Sequence, residues 1–180
     1  VGDSTAGGAV PTPEAPSDDE AAASLRALVQ RAAADLAARD ARTEALARYK
    51  PARRIVVVKT AESLEPEGRA WRLGVLLLGS DGRVFETGRI TRAVTPTRSQ
   101  HLSAQVEQRK AERRAAVRGH FAEGEVVNYG YEPVDLSTGA LQAGEQRLLV
   151  RDGRALVRWG ATADEVRDLA AYLADRAGLL

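Results

Sequence analysis

The side chains in this sequence with the charge and spacing for chemistry are mostly arginines. Arg109 and Arg113 are four residues apart in a helical stretch, with His120 close behind. Arg147, Arg151, Arg154 and Arg158 crowd into "RLLVRDGRALVRW". A guanidinium presents a rigid fork of donors that matches a carboxylate or a phosphate. These seven residues are therefore the candidate anion-binding set. Alternatives stand beside that reading. The four arginines from 147 to 158 also suit a solvated or internally paired sheet face, or a protein interface. Arg109 and Arg113 fall within the apolar stripe of Leu102, Val106, Val117 and Phe121, so their stems could instead snorkel over a sheet. They could also pair with the acidic segment Glu123, Glu125, Glu132, Asp135 and Glu145. No arginine or lysine lies between residues 119 and 146.

Other chemistries are poorly supplied. With no cysteine, a thiolate metal site, a disulfide framework and a cysteine nucleophile are all ruled out. His101 and His120, the only histidines, are 19 residues apart, and neither has a second ligand at metal spacing. There is no Gly-x-Ser-x-Gly elbow and no phosphate-cradling glycine loop between strand and helix. Neither a cofactor nor a metal is expected, and no catalytic residue is assigned. A nucleic-acid surface would carry exposed rings for base stacking, whereas here the rings fall mainly on expected core faces.

Composition sets the frame. Apolar residues make up 44% and aromatics 4% of 180 residues, and the net charge is +1. That balance argues against a general polyanion binder. Arginines outnumber lysines 23 to 3, a bias shared with the abundant alanine, so arginine counts need discounting. No basic stretch precedes an apolar core at the N-terminus, and no apolar run approaches the roughly 20 residues of a membrane span. A cytoplasmic protein without membrane contact is expected.

The elements that must position these groups are legible from periodicity and turn chemistry. Residues 1–16, rich in Gly and Pro, read as a disordered tail, and 17–180 as a single α+β domain. Ser17 and Glu20 form a capping box that starts a helix over 18–48, closed by Pro51. Ile55 to Val58 read as a buried strand, and 65–68 as a loop. In "WRLGVLLLGSDGRVFETGRITRAV", Asp81-Gly82 predicts a two-residue hairpin turn with Ser80 facing Arg83. Trp71, Leu73, Val75, Leu77, Val84 and Ile90 then form the core face. A helix follows over 99–121, then a strand in "EVVNYGYEPVDL" and a loop over 137–145. Asp152-Gly153 predicts a second hairpin, with all four arginines on the face of Leu149 and Leu156. Leu148, Val150, Ala155, Val157 and Trp159 point inward. Thr162 and Glu165 cap a last helix, with Gly178 at its end.

The expected fold is thus a mostly antiparallel sheet of five to six strands with three helices. Asp-Gly-Arg recurs with a shift of 71 residues. That repeat fits an internal βββα duplication, or simply good turn chemistry used twice.

"WRLGVLLLGSDGRVFETGRITRAV" and "RAAVRGHFAEGEVV" resemble a group of small bacterial proteins, some of which carry the label glutaminase. The resemblance spans about residues 50–160 and implies amide hydrolysis. Serine-type glutaminases use Ser-x-x-Lys, and no serine here has lysine three positions on. The functional expectation is a non-enzymatic binding or interaction module with an arginine-rich surface, its partner an anionic ligand or another protein. The alternatives are an anion or nucleic-acid binder, and a hydrolase using His120.

Overall fold

In the computed structural model, which describes residues 16–55, 58–96 and 103–180, Ser17 caps helix α1 (Asp18–Ala38) as its sequence predicts. Its hydroxyl accepts from the Glu20 amide, and the Glu20 carboxylate accepts from the Ser17 amide at 2.8 Å. The helix ends at Ala38 rather than at 48. Asp40 turns the chain with a φ of 49°, and strand β1 (Glu44–Lys50) follows. Ala45, Leu46 and Ala47 are buried in succession. A strand packed on both faces has consecutive apolar positions, which periodicity alone cannot tell from a helix.

β1 pairs antiparallel with β4 (Ser63–Leu73) and parallel with β8 (Val126–Tyr129). β4 runs through the expected loop at 65–68, with a register shift opposite Leu46 and Ala47. It then turns at Gly74 (φ 63°) into β5 (Leu76–Gly79), so residues 71–78 form a hairpin rather than one strand. β6 (Val84–Glu86), β7 (Arg89–Arg92) and β9 (Glu132–Pro133) complete a seven-stranded mixed sheet, ordered β7-β8-β1-β4-β5-β6-β9.

The two ends of that order are parts of one ladder. Phe85 pairs with Pro133 and Glu86 with Glu132, and the same register resumes at Arg89 with Tyr129 and Ile90 with Asn128. Between them Gly88 faces Gly130, so close that a Cβ on Gly88 would lie 2.0 Å from the Gly130 carbonyl oxygen. The pairing is therefore cyclic: β1, β4, β5, β6–β7, β8–β9 and back to β1. Leu46, Ala70, Leu77 and Phe85 share the enclosed face and form a buried cluster with Tyr131. At the other end of that face, Arg72 donates to Asn128 (2.5 Å), and Asn128 donates to Glu44 (2.8 Å). Asn128 is fully buried, and this polar chain satisfies it.

The outer face is covered in two places. Trp71, Leu73, Leu76, Leu78 and Val84 join a core built with α1, α3 (Thr138–Ala143), α4 (Leu169–Ala177) and the small sheet of β10 (Leu148–Arg151), β11 (Arg154–Arg158) and β12 (Val166–Asp168). Helix α2 (Ala104–Arg118) sets Ala115 and Ala116 against Ala45, Ala47, Leu64, Val127 and Tyr129. β2 (Arg53–Ile55) and β3 (Val58–Thr60) pair antiparallel as a separate sheet; Ile55 is opposite Val58, so the single strand expected over 55–58 does not form, and 56–57 lie outside the described residues.

Tyr172 ties α4 to the sheet. Its buried hydroxyl donates to the Leu73 carbonyl and accepts from the Val75 amide, both at 2.9 Å. Tyr172→Phe leaves both backbone groups without that partner, and is expected to cost about 2 kcal/mol in chemical denaturation with the packing retained.

Several expectations need correction. Among the described residues there are four helices, since 138–143 is helical, and the main sheet is mixed with seven strands rather than mostly antiparallel with five or six. The first Asp-Gly bend is displaced by one position: Leu78 pairs with Val84, and the Gly79 amide donates to the Arg83 carbonyl. The left-handed Gly82 (φ 79°) completes a three-residue loop over 80–82; Leu77 joins the enclosed face, and Ile90 is 47% exposed. The second bend is as predicted, with Arg151 opposite Arg154 and positive φ at both Asp152 and Gly153. The two Asp-Gly-Arg turns thus differ in length and sit in different sheets, so they do not mark a βββα repeat. Helix 99–121 is α2 over 104–118, and Leu102 lies outside the described residues. The last helix starts at Leu169, capped by Asp168, because 166–168 pairs with β11 instead. Of the tail expected over 1–16, residues 1–15 lie outside the described residues. Among the described residues no helix is long and apolar enough to cross a membrane.

Candidate functional site

The arginines of the second hairpin divide into two pairs. Arg147 donates to the carbonyls of Arg158 (3.2 Å) and Gly160 (2.7 Å), and its amide donates to Glu86 (2.6 Å). Arg158 donates to the carbonyls of Gln146 (3.0 Å) and Gly144 (2.8 Å). These two brace loop backbone. Arg147 takes its carboxylate from Glu86 and not from the acidic segment, whose Glu125 pairs with Arg69 at 2.6 Å. The Arg69 hydrogen bond holds the Glu125 carboxyl below its ordinary range. Arg151 and Arg154 are exposed at the hairpin tip, without an ion-pair partner among the described residues. Leu149 and Leu156, on the same face, are buried, so that face is not simply wet. Trp159, expected inside, is 48% exposed because it follows the last residue of β11.

Arg109 and Arg113 stand elsewhere. Helical spacing places them on one side of α2, where they line a groove of about 540 Å³ between α2 and β7. Arg89, Thr91 and Arg92 form the strand wall, and Glu44 and Val126 extend it towards the polar end of the enclosed face. Both Arg109 and Arg113 are exposed, and neither meets a carboxylate among the described residues. His120 is not among the lining residues. It is exposed just beyond α2, with a φ of 61° and its amide donating to Val117. That is the left-handed position that stops a helix. The structure thus brings Arg109 and Arg113 together, and leaves His120, Arg147, Arg151, Arg154 and Arg158 outside the groove.

No protein-family model, curated protein or solved structure matches this chain. The groove must be read from its own groups. Arg92 donates to the Gly124 carbonyl at 3.4 Å and keeps its remaining donors. Arg89 forms an ion pair with Glu112, which also accepts from Gln108 at 3.0 Å. The groove wall thus carries four arginines, one of them neutralised by Glu112.

A second cavity of about 290 Å³ lies on the other side of that ion pair. Tyr49, Glu62, Tyr129 and Gly130 line it, and it shares Arg89, Gln108 and Glu112 with the first. Tyr49 donates to Glu62 at 2.8 Å, which raises its phenol pKa. Burial, with help from the nearby Glu112 carboxylate, raises that of Tyr129. Sequence reasoning missed Arg89, Glu112 and both tyrosines as site residues. The one local signal was Gln108 and Glu112, four apart on the turn beside Arg109 and Arg113.

Proposed function

We propose that the protein is a non-enzymatic binding module, and that the groove between α2 and β7 takes an anionic ligand carrying a phosphate or carboxylate group. The observation behind this is the pair of exposed guanidiniums, Arg109 and Arg113, facing a concave space with no carboxylate of their own. A flat surface would have favoured a protein interface; a groove of about 540 Å³ is the size of a small-ligand site. The hydrolase reading gains no support, because His120 is not among the residues that line the groove.

Titration calorimetry with pyrophosphate tests the proposal. Saturable one-site binding that weakens as sodium chloride rises is expected, since exposed charges are screened within about 10 Å at 0.1 M salt. Absence of binding at low salt overturns the reading.

A further inference from the structure

The two cavities are halves of one cleft with opposite character, separated only by the Arg89–Glu112 ion pair and Gln108 that both share. One half carries Arg109 and Arg113, which meet no carboxylate among the described residues, together with Arg92. The other holds two tyrosine rings, 6.5 Å apart between centroids, and the carboxylates of Glu62 and Glu112. The second half already accommodates a cation: the Arg89 guanidinium lies 5.6 Å from the centre of the Tyr129 ring. Glu62 is only loosely balanced, with Arg118 at 3.7 Å. Tyr129 is 4% exposed and lines this cavity, with the Glu112 carboxylate close to its phenol.

From this we infer that the ligand is bipolar: its anionic group meets Arg109 and Arg113, and a primary ammonium at its other end meets Glu62 and the rings of Tyr49 and Tyr129. This rests on the reading of the groove as an anion site. It adds a ligand class, because a simple anion leaves the second half of the cleft unused.

Two series of probes separate the claims. Alkyl phosphates with spacers of two, four and six carbons are titrated beside the aminoalkyl phosphates of the same lengths. At the best spacer the amine is expected to improve affinity about fivefold or more. Glu62→Gln should remove that gain and leave alkyl phosphate binding unchanged. Tyr49→Leu, which removes one of the two rings at a position 44% exposed and keeps Glu62, provides a second variant should Glu62→Gln lower the melting temperature. Equal affinities in the two series at every length, or a gain that survives both substitutions, overturns the inference while pyrophosphate binding still supports the groove. If pyrophosphate also fails to bind, both readings fall.

Discussion

Replacing Arg109 and Arg113 together with alanine is expected to weaken pyrophosphate binding about a hundredfold. Hydrogen bonds between charged partners contribute about 1.5–3 kcal/mol each, and two such arginines account for roughly 3 kcal/mol or more. The fold should be unaffected. Both side chains are exposed and unpaired among the described residues, so the stability change should stay within about 0.5 kcal/mol. That combination separates them from Arg147 and Arg158, which hold backbone carbonyls. Calorimetry for binding and thermal melting for stability, on the same samples, check the two halves. Loss of stability along with binding would assign Arg109 and Arg113 a structural role instead.

Gly88→Ala is expected to disturb the fold strongly. Its Cβ would lie 2.0 Å from the Gly130 oxygen and 2.6 Å from the Tyr129 oxygen, both backbone atoms that no rotamer change can move. The clash falls where β6–β7 closes on β8–β9, so relieving it means opening the ladder. A cost of about 3 kcal/mol is expected, at the upper end of overpacking effects. Against a typical domain stability of about 5–15 kcal/mol that is a large share. Gly139, inside α3, is the control. Nothing beyond its own turn of helix lies within 4 Å of its Cβ position, and Gly139→Ala should be neutral or stabilise by up to about 1 kcal/mol. Urea denaturation of both variants decides it. Because Arg89 is the next residue, Gly88→Ala should also weaken anion binding.

What the sequence made legible was local. Ser17 with Glu20, and Asp152 with Gly153, specify a helix start and a turn through contacts within a few residues, and both form. Arg109 and Arg113 were likewise visible as a pair because helical spacing alone puts them side by side. The rest depends on long-range closure. β1 looked helical because its Ala45, Leu46 and Ala47 pack on two sides, one towards α2 and one into the enclosed face. The first Asp-Gly turn slipped because Gly82 alone, and not Asp81, takes the left-handed conformation, which closes a three-residue loop instead of a two-residue one. Glu112 meets Arg89 across 23 residues, and Tyr129 reaches the same cavity from a third element. No periodicity in any one segment encodes that meeting.

The anion site is tested most directly by following backbone amide signals in NMR as pyrophosphate is added. Progressive, saturable shifts are predicted for residues 89–92 and 105–113, with residues 147–158 unmoved. Shifts centred on Arg151 and Arg154 at the hairpin tip, or no shifts anywhere, would contradict the account.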